Sequence, residues 1–558
     1  MTATPSSPAT DFSVALLAEF VALGIRDIVV CPGSRSQALA LAAAEFERRG
    51  DLRLRVRIDE RVAGFLALGL AVETATPVLV IATSGTAIAN LHPAVLEAHH
   101  SSVPVIVLSA DRPVELRGIA ANQTTTQPGM FGDAAVVFDI EAPTGAAGEM
   151  DVATALARDA VAAAAGPVQL NLQFREPLSG PIPPLPVVER AETEPVSAHT
   201  PAGVLVAVEP RFGTLVVAGH GAGPVAEEVA RALGAPLAAE VSSGSHFGPN
   251  LVVDYRTLLT TAGFGDRVER VIVFGHPTLT REVPALIQRR GVESIVVRSG
   301  PEDYNPGRAV TSFADALTVE GTLDTSPEFR SWLGRWVTTS RNALEQHDAP
   351  PIEIALSNEP RDQAAFNRAV IAGLRAPVSR RALVEAVWRM TWPHDRLVLG
   401  ASRLIREADK VVSGKRISVH ANRGLAGIDG TIGTGVGIAL ASQARGDAAS
   451  GGVTRVLLGD LTLLHDVGSL LFGVGEARPR IQVIVGNDRG GTIFESLEVA
   501  QVTDAAPFER VMLTPQSVDF RALAAAYGWE YRLAANRGDL DASLTPGDGP
   551  TLVEVPLA

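Results

Sequence analysis

The stretch GDLTLLHD, Gly459 to Asp466, decides the fold because it places an acidic residue directly after an apolar run. The preceding residues, Arg455 to Leu458, have the composition of a buried strand. Asp460 is therefore predicted to lie where a parallel strand ends and a helix begins. Ligands of open α/β sheets bind at that edge, so we expect a binding site beside Asp460.

A second oxygen-bearing side chain follows the next predicted strand, Ile481 to Val485. That strand ends in Gly486-Asn487, and the interval between Asp460 and Asn487 is long enough for one crossover helix between neighbouring parallel strands. The Asp460 carboxylate and the Asn487 amide oxygen could then share one hard cation such as Mg²⁺, with room for phosphate oxygens. Taken singly, Asp460 would be a helix N-cap and Asn487 a turn residue. Their spacing favours a metal and diphosphate site.

The composition predicts a multidomain α/β enzyme. The chain has 558 residues, too many for one core, of which 46% are hydrophobic and 20% charged. A net charge of −14 argues against a nucleic-acid or anionic-membrane partner, so local arginines must hold any anionic substrate. The single Cys31, predicted to be buried, excludes a disulfide framework. No secretory signal or membrane span is predicted, and we expect a cytoplasmic location.

Short Val/Ile/Leu runs alternate with longer helical patterns in three blocks, an arrangement typical of parallel sheets with crossover helices. We predict an α/β fold of three doubly wound parallel-sheet domains over residues 1–187, 200–350 and 375–558. The polar, Pro-bearing stretches EPLSGPIPPLPVVER and QHDAPPIEIALSNEP are predicted to connect them. The first and third blocks share their size and rhythm, which suggests two related domains around a middle one.

The GDL phrase followed by Asn487 resembles the GDG and Asn motif of thiamine diphosphate-dependent enzymes. The resemblance is closer to the 2-succinyl-5-enolpyruvyl-6-hydroxy-3-cyclohexene-1-carboxylate synthase family of menaquinone biosynthesis, and it covers nearly the whole chain. It is carried by CPGSRSQALA, IDERVAGFLALGLA, TSGTAIANLHPAV, SADRP, ANQTTTQ, LGASRLIRE, HANRGLAGIDGTIGTG, GDLTLLHD and NDRGGTIFESL. Two positions depart from the wider pattern, because Leu461 and Arg489 stand where many members have Gly. At Arg489 a positive φ would strain the backbone.

The resemblance implies a thiamine diphosphate-binding fold and a cofactor held through Mg²⁺ or Mn²⁺. The implied metal ligands are Asp460, Asn487 and the backbone carbonyl of Arg489. Glu60 is implied as the catalytic acid beside N1′ of the aminopyrimidine, and Ile428 as the apolar wedge that bends the cofactor. The implied cofactor-binding residues are Glu60, Ser402, Ile428, Gly459, Asp460, Leu461, Asn487, Ile493 and Phe494. Active sites shared between subunits of a homodimer or homotetramer are implied as well.

The implied reaction is decarboxylation of 2-oxoglutarate and conjugate addition of the succinyl carbanion equivalent to isochorismate. Both substrates are dicarboxylates, and the planar fork of arginine suits carboxylates. The implied substrate-binding residues are Ser34, Arg35, Arg112, Gln123, Arg281, Ser402, Arg406, Arg423, Ile493, Phe494 and Leu497. Of these, Arg281 in TLTRE rests on a looser alignment than the rest.

Plainer interpretations of these residues stay open at this stage. Glu60 could simply be stabilised by the N-terminus of its own helix, and any arginine could be a solvated surface residue. Ile428 could pack in a core, and residues 493–497 could form a helix packing face.

Three other functions compete with the implied one. Another thiamine diphosphate enzyme, such as an acetohydroxyacid synthase or a 2-oxoacid decarboxylase, would leave the arginines of SRLIRE and NRG without a purpose. A nicotinamide or flavin oxidoreductase would use Gly433–Gly437 or Gly219–Gly223, but neither is a full GxGxxG fingerprint. A non-enzymatic scaffold would bind no thiamine diphosphate.

Overall fold

The structure of the chain, a computed structural model, describes residues 7–189, 191, 203–324, 326–347, 360–446 and 451–558. Strands and helices alternate along these residues, and the strands of each large sheet pair in parallel. The predicted α/β class with several parallel sheets is therefore confirmed. Within the described residues, no helix is both long enough and apolar enough to cross a membrane.

The first sheet is built from the aliphatic runs of the first block, and its strands β3, β4 and β6 are buried along their whole length. Such strands are typical of a parallel sheet covered on both faces. The strand order is β2-β1-β3-β4-β6-β5. The strands are β1 (Asp27–Val30), β2 (Arg53–Val56), β3 (Val78–Ala82), β4 (Val105–Asp111), β5 (Val136–Ile140) and β6 (Val168–Gln173). The helices are α1 (Pro8–Ala22), α2 (Gln37–Arg48), α3 (Glu60–Thr74), α4 (Thr86–Asn90), α5 (His92–His100) and α6 (Glu149–Ala163).

The middle block forms a five-stranded parallel sheet of order β12-β11-β10-β8-β9 and a separate pair of β13 with β7. The strands are β7 (Leu205–Val208), β8 (Thr214–Ala218), β9 (Leu237–Ala239), β10 (Arg270–Phe274), β11 (Glu293–Val297), β12 (Ser312–Ala314) and β13 (Ala316–Val319). The helices are α7 (Val225–Leu233), α8 (Tyr255–Thr260), α9 (Glu282–Ile287) and α10 (Pro327–His347).

The third sheet has the order β15-β14-β16-β17-β19-β18, which repeats the order of the first sheet strand for strand. Its strands are β14 (Arg396–Leu399), β15 (Ser418–His420), β16 (Thr454–Gly459), β17 (Ile481–Asn487), β18 (Glu530–Leu533) and β19 (Thr551–Pro556). The helices of this block are α11 (Pro360–Arg375), α12 (Arg380–Met390), α13 (Arg403–Val411), α14 (Thr431–Gln443), α15 (Asp460–His465), α16 (Val499–Val502), α17 (Ala505–Phe508), α18 (Phe520–Ala526) and α19 (Arg537–Ser543). Short 3₁₀ helices include Val467–Leu470 and Thr492–Ser496.

Two compact units divide the described residues. The first comprises those within Met1–Thr200, Asp429–Ser450 and Asp466–Pro479. The second comprises those within Pro201–Ile428, Gly451–His465 and Arg480–Ala558. The domain limits 1–187, 200–350 and 375–558 stay a prediction, and residues 200–202 and 348–350 lie outside the described residues. So do residue 190 and residues 348–359 of the two predicted connections.

Glycines allow α3 and α14 to pack closely within the first unit. A Cβ on Gly69 would collide with the backbone of Thr434, and one on Gly437 would collide with the carbonyl oxygen of Leu66. Only glycine permits so close an approach of two backbones. The glycines of the Gly433–Gly437 segment therefore have a packing role that needs no dinucleotide.

Candidate active site

Asp460 and Asn487 are neighbours at the carboxyl edge of the third sheet. Strands β16 and β17 pair with Gly459 opposite Gly486, so the next residue on each strand is Asp460 or Asn487. β16 ends at Gly459 and α15 begins at Asp460, which confirms the junction predicted from the sequence. The sheet register thus brings one carboxylate and one amide side by side.

The Asp460 carboxylate is buried, with 3% of the residue exposed, and its Oδ1 accepts a hydrogen bond from the Leu461 N–H at 2.9 Å. Burial raises the pKa of Asp460 to about 6, with a smaller contribution in the same direction from the nearby Asp488 carboxylate. A buried carboxylate of this kind is destabilised in its charged form, and a bound cation would remove that penalty. The donor chemistry at Asp460 therefore fits a metal ion.

A half-buried hydrogen-bond network fixes the Asn487 side chain. Its Nδ2 donates to Glu554 Oε1 at 2.8 Å, and the other carboxylate oxygen of Glu554 accepts from the Tyr531 hydroxyl at 2.7 Å. Asn487 Oδ1 accepts from the Arg489 N–H at 3.2 Å. The amide oxygen is thereby directed toward the loop that follows β17.

Arg489 has a φ of 61°, so the strain that the sequence predicted for a positive φ is present. Its side chain is exposed, and the next residue, Gly490, could not carry a Cβ without colliding with Leu513. The loop is anchored by Asp488, whose Oδ2 accepts from Arg380 Nη2 at 2.8 Å. The Arg489 peptide is thus held in one conformation by its surroundings.

Within the described ranges, no three His, Cys, Asp or Glu side chains cluster in a way that could hold a metal. The candidate centre at Asp460 offers instead one carboxylate, one amide oxygen and one backbone carbonyl. Such a partial oxygen set suits Mg²⁺, which usually keeps phosphate or water oxygens in its remaining positions. The residues present therefore fit a magnesium ion that carries a diphosphate.

Apolar side chains predicted to contact the cofactor are only partly buried within this chain. Ile428 is 36% exposed, which argues against the interpretation that it packs in this chain's core. Ile493 and Phe494 lie half-buried in the 3₁₀ helix after the Asn487 loop, and Leu497 follows it. Gly459 and Leu461 flank Asp460 and are half-buried as well.

Two predicted substrate arginines of the second unit are fixed by hydrogen bonds. Ser402 caps α13, and its carbonyl accepts from Arg406 Nη1 at 3.0 Å. Burial lowers the pKa of Arg406. Arg423 is 2% exposed and donates from Nε to Thr278 Oγ1 at 2.8 Å and from Nη2 to the Thr278 carbonyl at 3.2 Å. Both guanidinium groups are held in place before any ligand is present.

Arg281 differs from these two arginines. Its side chain is 84% exposed, and its Nη1 lies 3.9 Å from Glu498 Oε1, just after the predicted Leu497. The structure therefore places Arg281 on the surface beside the Asn487 loop, as a solvated side chain.

In the first unit, Arg112 organises the carboxyl edge of the first sheet. It is 8% exposed, and its Nη1 donates to the Gln123 carbonyl at 2.7 Å and to the Ser84 hydroxyl. Gln123, at a φ of 55°, returns a bond from Nε2 to the Ser84 carbonyl at 2.9 Å. Ser84 lies in the TSGT phrase, but no pattern in the sequence assigns it a role. Its contacts depend on how the Gln123 loop folds back.

Arg35 and the exposed Ser34 lie in the loop after β1 in the same unit. Arg35 Nη1 donates to the Phe174 carbonyl at 3.0 Å. Burial and the charge of Arg35 lower the pKa of Arg112. Two cations that repel each other at a half-buried edge favour an anionic ligand.

Glu60 is the first residue of α3 and is half-buried. The alternation in Arg55-Val-Arg-Ile-Asp59 predicts a strand that runs into Glu60, but β2 ends at Val56 and a short turn intervenes. Asp59 caps the helix, accepting from the Arg61 N–H at 2.9 Å. Glu60 Oε2 instead accepts from Asn90 Nδ2 at 3.2 Å. The capping role is thus taken by its neighbour.

Cys31, after β1, is buried as predicted, with 1% of the residue exposed. Burial raises its pKa, and the Glu60 and Asp59 carboxylates raise it further. The thiol is therefore a small apolar side chain rather than a nucleophile.

Known proteins resemble the chain along nearly its whole length. Residues 11–135 match the family described as thiamine pyrophosphate enzyme, N-terminal TPP binding domain. A 2-succinyl-5-enolpyruvyl-6-hydroxy-3-cyclohexene-1-carboxylate synthase of Leifsonia xyli is 56% identical, with 99% of this chain and 97% of the relative covered. Synthases of the same name from Clavibacter michiganensis and Rhodococcus opacus are 58% and 36% identical, over 99% and 98% of this chain and 96% and 95% of the relatives. The chain therefore belongs to the 2-succinyl-5-enolpyruvyl-6-hydroxy-3-cyclohexene-1-carboxylate synthase family of thiamine diphosphate-dependent enzymes.

Proposed function

We propose that the protein decarboxylates 2-oxoglutarate and adds its succinyl unit to isochorismate by 1,4-addition, in a reaction that depends on thiamine diphosphate and Mg²⁺. The product is 2-succinyl-5-enolpyruvyl-6-hydroxy-3-cyclohexene-1-carboxylate, an intermediate of menaquinone biosynthesis. Family membership supports the reaction type. The observation that carries the proposal is the pairing of Asp460 with Asn487 at adjacent strand ends.

Asp460, Asn487 and the Arg489 carbonyl would hold Mg²⁺, or Mn²⁺ in its place, and through it the cofactor diphosphate. When bound, thiamine diphosphate supplies the electron sink for loss of CO₂. Glu60 holds a proton for N1′ of the aminopyrimidine, and its half-buried position suits that task. Ile428 supports the cofactor from its exposed position.

The arginines bind and orient the substrate carboxylates. Arg35, Arg112, Arg406 and Arg423 do so, with Ser34, Gln123 and Ser402 as polar contacts. Their guanidinium groups are already anchored on backbone carbonyls, so that little side-chain entropy is lost when a carboxylate binds. Ile493, Phe494 and Leu497 exclude water from the reacting centre. Arg281 would contribute long-range attraction only.

We infer that the enzyme works as a homodimer or homotetramer whose subunits share active sites, as the family resemblance implies. Mixing Glu60→Gln and Asp460→Ala subunits after dissociation tests this inference. About a quarter of wild-type activity is expected, because half of the dimers combine the two variants and each of these has one intact site. Absence of any recovered activity would place each site within one subunit.

The experiment that tests the proposed reaction follows isochorismate absorbance with purified protein, 2-oxoglutarate, Mg²⁺ and thiamine diphosphate. Each component is omitted in turn. We expect isochorismate loss only when all are present. Release of CO₂ from a 2-oxoacid without isochorismate loss would retain the cofactor chemistry and reject the proposed acceptor.

A further inference from the structure

Glu240 is a buried carboxyl group outside the predicted site. It follows β9 in the middle sheet and is 2% exposed. Its Oε1 accepts two backbone hydrogen bonds, from the Thr278 N–H at 2.7 Å and the Leu279 N–H at 2.6 Å. Its Oε2 has no hydrogen-bond partner among the residues that the structure describes. Burying a carboxyl group this deeply costs free energy that its hydrogen bonds must offset.

Glu240 and Arg423 share a hydrogen-bond partner, Thr278. The Thr278 residue that donates to Glu240 also accepts both anchoring hydrogen bonds of the Arg423 guanidinium, through Oγ1 and through its carbonyl. Thr278 lies in the loop after β10, where no helix or strand fixes the backbone. Glu240 therefore sets the position of the loop on which Arg423 rests.

The neighbouring peptide leads to Arg406. The Val241 N–H donates to Asp409 Oδ1 at 2.7 Å, and Asp409 lies one helical turn after Arg406 on α13. Asp409 is fully buried, and its Oδ2 accepts from the Tyr255 hydroxyl at 2.7 Å and from Arg256 Nη2 at 2.6 Å. The two residues after β9 thus contact the supports of both substrate arginines in this unit.

We propose that Glu240 is a positioning residue for substrate binding, which acts through Thr278 to orient the Arg423 guanidinium toward a substrate carboxylate. The proposal rests on the proposed function, because Arg423 must bind a substrate for its orientation to matter. Holding a binding group by a second layer of hydrogen bonds is a general requirement for precise sites. The middle block then contributes to the active site through its loops.

The charge state of Glu240 agrees with such a role. Burial, together with repulsion by Asp409, raises the pKa of Glu240 to about 8, although the two backbone N–H groups and Arg423 act in the opposite direction. The raised pKa favours the neutral, protonated side chain as the acceptor. The positive charge of Arg423 is then left for a substrate carboxylate instead of being cancelled by an ion pair.

The test compares Glu240→Ala with Glu240→Gln in steady-state kinetics of the complete reaction. We expect Glu240→Ala to raise KM for at least one dicarboxylate substrate about tenfold or more while kcat changes by less than about threefold. Glu240→Gln retains an acceptor oxygen and should restore KM to within about threefold of wild type. In an Arg423→Ala background, Glu240→Ala should raise KM little further, because the two changes disrupt the same interaction.

Asp395→Asn provides the matched control. Asp395 is 3% exposed in the same unit and accepts from the Val453 N–H at 2.9 Å and from Arg455 at 2.8 Å, just before β14 begins. This variant should lower thermal stability without raising KM. A purely structural role for Glu240 predicts the same behaviour in Glu240→Ala, and that result would overturn the proposal.

A Glu240→Gln variant as impaired as Glu240→Ala would also overturn it, because the acceptor oxygen would then be irrelevant. If Glu240→Ala does not fold, Thr278→Val carries the test by removing only the Oγ1 acceptor of Arg423. A raised KM supports the proposal, and an unchanged KM rejects it. Failure of the proposed function is distinguishable, because the wild-type protein itself would then consume no isochorismate.

Discussion

The first and third sheets share one strand order, yet their carboxyl edges carry opposite chemistry. After β3 and β4 the first sheet presents Ser84 and the buried cation Arg112, which bond to each other. After the corresponding strands β16 and β17 the third sheet presents the oxygen donors Asp460 and Asn487. One topology therefore supports an edge that carries a buried arginine and an edge that carries oxygen donors.

The difference shows that strand order determines where a site forms and that one or two residues past each strand determine what it binds. The central strands β4 and β17 of the two sheets are both rich in aliphatic residues and buried along nearly their whole length. The two edges should therefore respond differently to substitution, one through turnover and the other through cofactor affinity.

The largest effect is expected from Glu60→Gln in the first unit. The amide retains the size and the Asn90 contact of Glu60 but cannot hold a transferable proton. We expect kcat to fall by about 10²- to 10⁴-fold, the range for loss of a general acid. Affinity for thiamine diphosphate, measured by calorimetry in Mg²⁺, should change by less than about threefold.

Glu149→Gln is the control for that prediction. Glu149 also opens a helix of the first unit, and its Oε1 accepts from the Thr144 N–H at 2.8 Å. If Glu60 were only a helix-terminal acid, both variants would lose stability and neither would lose turnover.

Asp460→Ala should act on affinity instead of turnover. Removing the proposed metal ligand should weaken Mg²⁺-dependent thiamine diphosphate binding by more than the roughly 10- to 100-fold that loss of an outer-shell partner costs. Asp519→Ala is the control, because Asp519 caps α18 and accepts from the Arg521 N–H at 2.9 Å. Equal cofactor affinity in the two variants would mean that Asp460 only caps its helix.

The sequence predicted the sheets well because central strands such as β3, β10 and β16 are buried runs rich in branched aliphatic residues. It also located Asp460 and Asn487, since parallel strands end at a common edge. It misplaced the end of β2, which stops at Val56 although the Arg57 N–H still donates to the Val30 carbonyl at 3.0 Å. The Glu240–Thr278–Arg423 connection could not be predicted, because it joins loops far apart in sequence through backbone groups that carry no residue signature.

Arg489→Gly tests the strained loop of the third edge. A non-Gly residue at a φ of 61° costs about 1 kcal/mol, and the exposed Arg489 side chain offers little in return. The variant should raise the stability of the cofactor-free protein by up to about 1 kcal/mol, part of which the greater chain entropy of Gly in the unfolded state removes. Thermal unfolding measures this gain. Lower stability would mean that the side chain contributes contacts of its own.

The smallest effect is expected at Asp466, which ends the Gly459–Asp466 stretch that also contains Asp460. Asp466 is fully buried, and its Oδ2 accepts from the Ile432 N–H at 2.7 Å and the Gly433 N–H at 3.1 Å where α14 begins. Ser469 Oγ donates to its Oδ1 at 2.7 Å. These are protein donors in place of a metal, so that Asp466 should be insensitive to the cofactor.

The pH dependence of stability in the Asp466→Asn variant tests this difference. Burial raises the pKa of Asp466 from 3.8 to about 6, so the folded protein retains a proton that the unfolded chain has already released. The contribution of Asp466 to the free energy of unfolding therefore falls as pH rises from about 4 to about 6. Asn does not ionise, so the variant does not lose stability in this way. Between about pH 5 and pH 7.5 the stability of the variant relative to wild type should rise by about 1 kcal/mol. Thermal midpoints across that range measure the change in relative stability. Adding Mg²⁺ with thiamine diphosphate should leave this pH dependence unchanged. A relative stability that responds to the cofactor would mean that Asp466 also contributes to the proposed metal site.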